Sequence, residues 1–301
     1  MPEPLKPGDT VGVAAPAGPP RSDWLEAGVD FLRSHSFEVV LGANIHKKSP
    51  YLAGTDQQRA SDFNAMLRDP SVRAILLARG GYGTMRILRL LDLDALRKDP
   101  IIICGMSDGT ALQLYLYRHL RLATLSGPMI AGQVAQRLDS WTAENFMEGL
   151  CTRWQGVDIF RDKRLTLRVA RHGRCVGPLL GGCLSLVTAL LGTHCLPDFS
   201  GAVLVLEDVS EPLYRLDRMI TQLQLAGIFD AIEGLVLGYF LGPRGADFSR
   251  EVEQMVLEIT RKHDFPIVSG FPHGHRLPNL MFAHGLTGEL DTAIPTLKLG
   301  A

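Results

Sequence analysis

Cysteine is scarce: five residues in 301, Cys104, Cys151, Cys175, Cys183 and Cys195, odd in number, widely scattered and without a CxxC pair. That distribution excludes a disulfide framework and a structural zinc site. Aromatic residues are also few, at 7%, whereas glycine (31) and proline (18) are plentiful. This balance speaks against an all-β sandwich and for compact elements joined by short loops. Neither sign of charge is in excess, because 31 Lys and Arg face 32 Asp and Glu for a net charge of −1. Nothing here draws a polyanion or an acidic membrane surface, so neither nucleic acid nor membrane is expected as a partner. The N-terminus has no basic region followed by an apolar stretch, which makes cytoplasmic location the expectation. One segment, 175–197, runs for 23 residues without charge. Gly177, Pro178, Gly181, Gly182, Gly192 and Pro197 break it into a Gly-rich turn and a buried helix over about 184–191, too short to cross a bilayer.

With 46% hydrophobic residues, a chain of this length builds a sizeable core and divides into about two domains. The first half alternates short apolar runs with helix-period stretches. Strands are predicted at 10–15, 37–41, 74–78 and 101–104, and Ser22 is placed as the cap of a helix carrying Leu25, Val29 and Leu32. Thr55-Asp56-Gln57-Gln58 has the form of a capping box opening a second helix. Unbroken apolar runs such as Ala74–Ala78 suit strands buried on both faces of a parallel sheet. The fold class is therefore α/β, with a doubly wound parallel sheet whose working loops lie at the carboxyl ends of its strands. Arginines gather among few apolar residues around 150–175, which reads as an exposed connection. The predicted organisation is an N-terminal sheet domain over 1–150, a connection over 151–174 and a C-terminal domain over 175–301. In the latter, strands are predicted at 202–206, 234–238 and 266–269, with a helix from about Leu213 to Leu225.

Gly105-Met106-Ser107-Asp108-Gly109 stands between a buried strand and a helix pattern, the context of a G-x-S-x-G nucleophile elbow. The bland alternative is a Gly-rich turn in which Ser107 caps a helix. A serine nucleophile needs a base and an orienting carboxylate. Among nine histidines, His275 follows an apolar run that delivers it to a loop at the sheet end, and Glu207 closes the strand predicted at 202–206. His273-Gly274-His275 also has the form of a metal-binding H-x-H, but no Cys or carboxylate at ligand spacing supports it, so no metal and no cofactor is expected. Arg79-Gly80-Gly81-Tyr82-Gly83 follows the neighbouring strand and offers unobstructed amides, suited to an oxyanion or, equally, to a phosphate.

With these motifs in order, the chain resembles the LD-carboxypeptidases, the muramoyltetrapeptide carboxypeptidases and their relatives, which include the microcin C self-immunity peptidase. The resemblance rests on Lys6-Pro7-Gly8-Asp9, Leu52–Asp56 with Arg59, Arg79–Gly83, Gly105–Thr110, Gly127-Pro128-Met129, Gly181-Gly182, Leu206-Glu207-Asp208 with Glu211 and Tyr214–Arg218, and Gly274-His275. It implies Ser107 as nucleophile, His275 as general base, Glu207 as its orienting acid, and the amides of Gly81 and Asp108 as the oxyanion hole. It further implies an N-terminal domain like that of class I glutamine amidotransferases, a C-terminal α/β swivelling domain, and a homodimer. Three places depart from the family pattern: Ser126 stands where His is usual before Gly-Pro-Met, Cys183 replaces an Asn, and Phe282-Ala283-His284-Gly285 replaces Leu-Pro-x-Gly. These departures bear on substrate preference.

The expectation is a serine carboxypeptidase that releases a C-terminal D-amino acid from murein tetrapeptides. One rival is an amidase acting on a peptidyl-nucleotide, with Trp154 as the platform for a base; another is a catalytically idle peptide-binding protein. Arg79 and Arg276 are both candidates for holding the substrate's carboxylate, with Tyr82 as a further candidate contact.

Overall fold

The computed structural model describes residues 1–300. Strands form at β1 (Thr10–Ala14), β2 (Glu38–Leu41), β3 (Val72–Leu77), β4 (Ile102–Gly105), β5 (Thr124–Ser126), β6 (Arg168–Arg171), β7 (Arg174–Cys183), β8 (Val203–Val209), β9 (Gly234–Leu241), β10 (Ile267–Ser269), β11 (Phe282–His284), β12 (Thr287–Asp291) and β13 (Thr296–Leu299). The chain divides into two compact units, Met1–Arg153 with Leu280–Phe282, and Trp154–Asn279 with the residues from Ala283 onward.

The first unit is built on a six-stranded sheet in the order β11-β5-β4-β3-β1-β2. Pairings from β2 through β5 are all parallel. The runs predicted to be sandwiched between helices are so, with Ala74, Ile75, Leu76, Ile102, Ile103 and Cys104 all buried. Chain order reverses between β1 and β3, and at such a switch point the loops at the carboxyl ends part to leave a crevice. There the turn after β1 meets the turn after β3, with Gly18 N–H donating to Gly80 O at 3.1 Å. The helix Asp56–Arg68 opens on the predicted capping box, with Thr55 and Gln58 satisfying each other's backbone N–H groups. Ser22 is the first helical residue of Ser22–Ser34 rather than its cap; Arg21 holds that position without a side-chain bond.

The second unit is a mixed seven-stranded sheet, β13-β12-β7-β8-β9-β10-β6. Its centre, β7 to β10, is parallel, while β12, β13 and β6 add antiparallel edges. The stretch read as a connection contributes β6, and its arginines are engaged. Arg168 pairs with the buried Glu253, and Arg171 donates to Thr260 and lies over Phe265. In the uncharged run 175–197 the expected Gly-rich turn is instead the strand β7, paired with β8 and β12 inside the sheet, and the helix Leu184–Ala189 follows it. Among the described residues no helix is long and apolar enough to cross a membrane.

Candidate active site

The turn after β4 is shaped by what surrounds it. Ser107 adopts a positive φ of 58°, a conformation that side chains resist, within the sharp strand-to-helix turn. Both flanking glycines are required by one neighbour. A Cβ on Gly105 would lie 2.6–2.8 Å from three atoms of Leu77 on β3, and one on Gly109 would lie 2.7 Å from Leu77 Cδ1. Gly80 approaches from the turn after β3, and a Cβ there would fall 2.7 Å from Ser107 Oγ. The Asp108 side chain ties the two turns together by accepting a bond from Thr84 N–H at 2.7 Å. Its burial raises the carboxyl's pKa, and that bond works the other way. The helix Gly109–Leu120 begins directly after Asp108, so its free N–H end faces the elbow. The N–H groups of Gly81 and Asp108 find no acceptor among the described residues. Asp108 follows the serine, and Gly81 follows the residue that approaches its hydroxyl.

In the second unit, β8 extends past the predicted 202–206, so Glu207 lies inside the strand rather than at its end. Between Leu206 and Asp208 the register with β9 slips, and the single residue Glu207 stands opposite Gly238 and Tyr239. After β10 the chain continues alongside β9, with Phe271 N–H donating to Leu237 O and Tyr239 N–H to His273 O. Glycine at 238 is what permits this approach, since a Cβ there would lie 2.5 Å from His273 O. Gly274, at φ +135°, leaves room for the acid, because its Cβ would lie 2.9 Å from Glu207 Oε2. His275 follows and places Nδ1 2.8 Å from Glu207 Oε2.

Glu207 is 1% exposed and His275 half-buried, and His275 Nε2 has no partner among the described residues. Burial opposes a charge on His275, but the Glu207 carboxylate and its hydrogen bond, with Asp208 behind them, raise its pKa above the ordinary imidazole value. Asp208 points elsewhere. It accepts bonds from Ser185 N–H (2.6 Å) and Val209 N–H (2.7 Å), and burial, aided by the nearby Glu207 charge, pushes it up to about 6.

The remaining predicted residues separate cleanly. His273 is fully buried and its ring stacks on Phe271. Arg276 donates to Asp247 at 2.7 Å and lies 4.1 Å over the Tyr239 ring. Arg79 is exposed and donates through Nη1 to Pro19 O. Tyr82 is exposed and its ring touches that of Tyr51. Trp154, considered as a platform for a nucleotide base, is 5% exposed and packs inward, which removes it from that role. The three departures from the family pattern are all buried. Ser126 ends β5, Cys183 lies in register with Glu207 with Sγ 3.6 Å from Asp208 Oδ2, and burial drives His284 down to about 3, leaving it neutral. Sequence reasoning missed Gly80 and Gly238 as spacers; the signal for Gly80 was its place in a glycine pair following the strand next to the elbow.

Known proteins match this chain along most of its length. The model of the LD-carboxypeptidase N-terminal domain matches residues 11–127, and that of the LD-carboxypeptidase C-terminal domain matches residues 176–290. A Bacillus subtilis protein named "Probable murein peptide carboxypeptidase" is 33% identical, covering 100% of this chain and 94% of its own. The murein tetrapeptide carboxypeptidase of Pseudomonas aeruginosa is 30% identical over 93% of this chain and 92% of its own. The solved structure of the microcin C7 self-immunity protein MccF, a protein of Escherichia coli, superposes with a TM-score of 0.90 at 25% identity, covering 99% of this chain and 98% of that one. With both domain models matched in order and relatives aligned from end to end, the chain belongs to the LD-carboxypeptidase family.

Proposed function

We propose that this protein is a serine-type LD-carboxypeptidase that removes the C-terminal D-amino acid from murein tetrapeptides, as in cell-wall recycling. The observation that carries the reading is the pair of a buried Glu207 and a half-buried His275, in which Nδ1 is bonded to the acid and Nε2 is left without a partner. An imidazole so held presents one nitrogen for proton transfer while its tautomer is fixed by the other. Ser107 Oγ attacks the carbonyl of the L-configured residue, and His275 Nε2 takes the hydroxyl proton. The amides of Gly81 and Asp108 receive the negative charge on the carbonyl oxygen. The same proton passes to the departing amine of the D-amino acid, and water then hydrolyses the acyl-serine.

Murein peptide as substrate is supported by the names of the two relatives, and a peptidyl-nucleotide gains no support from Trp154, which is buried. A cytoplasmic location and a homodimer complete the reading. Incubation with the tetrapeptide should release free D-Ala, and a fluorophosphonate probe should modify Ser107 and block that release. Label on another residue, or turnover that survives full labelling, would show that the serine has been misassigned.

A further inference from the structure

A carboxypeptidase has to recognise the free carboxylate at the end of its substrate, and the arginines beside the turns after β1 and β3, and Arg276 of the second unit, differ sharply in what they have left to offer. Arg59 is 2% exposed, its two terminal nitrogens are spent on Asp56, Pro16 O and Gly83 O, and its Nε is buried out of reach. Arg86 commits Nε and Nη2 to Asp56. Arg276, in the second unit, is paired with Asp247 and stacked on Tyr239. Arg79 is the exception. It is exposed, its one bond is from Nη1 to the Pro19 carbonyl at 2.8 Å, and among the described residues it has no acidic partner.

Its location is set by the crevice at the switch point. Gly80, the next residue, is the one whose Cβ would strike Ser107 Oγ, and Gly81 carries one of the two unspent amides. Gly18 marks the other side: a Cβ there would lie 3.0 Å from Gly80 O and 3.6 Å from Arg79 Nη1. The guanidinium is thus held at the backbone turn that borders the serine, anchored through one nitrogen. Its Nε and Nη2 edge stays open, and that edge is the fork that grips a carboxylate through two parallel N–H bonds.

We infer that Arg79 is the specificity-determining residue of this site, binding the terminal carboxylate of the D-amino acid and so restricting the enzyme to the chain end. This assignment rests on the reading of the protein as an LD-carboxypeptidase. It is tested with the tetrapeptide and the same peptide carrying a C-terminal amide, comparing the ratio of kcat/KM for acid over amide in the wild type, Arg79→Ala and Arg79→Gln. Gln keeps a neutral polar side chain and Ala removes the side chain, so the two together separate loss of charge from loss of the side chain's packing. Because the readout is a ratio, a general loss of folded enzyme cancels.

The wild type should favour the acid, and both variants should lower the ratio roughly 10- to 100-fold, mainly through KM for the acid. Added guanidinium should selectively restore acid hydrolysis by Arg79→Ala. Variants that keep the wild-type ratio, or lose acid and amide hydrolysis equally, would overturn the assignment while leaving the carboxypeptidase reading in place. A wild type that cleaves neither peptide would overturn that reading and this assignment together.

Discussion

Glu207 and Asp208 are adjacent, acidic and buried, yet their partners give them different work. Glu207 holds His275, whereas Asp208 closes the turn between β7 and the helix Leu184–Ala189 through Ser185 N–H. Glu207→Gln removes the charge that stabilises the imidazolium and should slow single-turnover hydrolysis by about 10²- to 10⁴-fold. Asp208→Asn keeps one carbonyl oxygen for Ser185 N–H and turns its NH2 toward Val209 N–H, so it should cost some stability yet retain most of the rate. A slow Asp208→Asn beside a fast Glu207→Gln would reverse the assignment of the acid. Ser107→Ala should cost on the order of 10³-fold or more, measured on folded protein, and near-normal turnover would remove the serine from the mechanism. The raised pKa of His275 gives the acid side of the pH profile its sign. The base works only when neutral, so kcat/KM should fall as pH drops through a value above 6.5. Asp208 contributes to that elevation, so Asp208→Asn should move the limb to lower pH. The contribution of the pair to folding runs the opposite way: it is fully present below the unfolded imidazole pKa and is lost as pH rises through the raised folded value.

At the scale of elements, the elbow depends on β3 as much as on its own strand. A Cβ at Gly105 would meet the Cβ, Cγ and Cδ1 of a buried Leu77, whereas one at Gly109 would meet only Cδ1, the mobile end of that side chain. Gly105→Ala should therefore destabilise by about 1–3 kcal/mol and displace Ser107, and Gly109→Ala should cost less. Thermal unfolding together with fluorophosphonate labelling rates checks the ordering, and equal effects would show that Leu77 does not set the shape of the turn. The bulge opposite Glu207 works by the same logic. Gly238 and Gly274 make space on β9 and after β10 for a backbone that has to run close to the acid.

On the scale of the whole molecule, the first sheet is not completed by the first half of the chain. Leu280–Phe282 belongs to the first unit, and β11 lies at the edge of its sheet beside β5. A fragment ending at Arg153 lacks that strand and leaves the β5 edge unpaired, a template for association. Expressed alone, it should self-associate in light scattering, and addition of a peptide spanning 278–286 should reduce this. A stably monomeric fragment would show that β11 is dispensable to the unit.

Local chemistry made much of this legible before any coordinates. Buried parallel strands announce themselves as uninterrupted apolar runs, the capping box at Thr55 satisfies its own donors, and the helix Leu213–Leu225 has the bounds its periodicity predicts. The elbow was readable because glycine, serine and glycine at that spacing between strand and helix meet a local steric demand. The rest depended on partners distant in sequence. The apolar run ends at 206, so Glu207 reads as the residue that closes the strand, yet Glu207 and Asp208 both lie within it, held by bonds to His275 and Ser185. The arginines of 168–171 look solvated until Glu253 and Thr260 are brought against them. Arg79 and Arg276 are equivalent as letters; only folding places Asp247 beside one and leaves the other with a single carbonyl. The sequence alone determined the elements whose pattern is local, such as the apolar strands at 74–78 and 101–104 and the helix Leu213–Leu225, since those follow from contacts a few residues apart, whereas β6 and β7 needed partner strands to declare themselves. Tertiary structure decided which of the charged groups are already neutralised, because that depends on what packs against them from elsewhere in the chain.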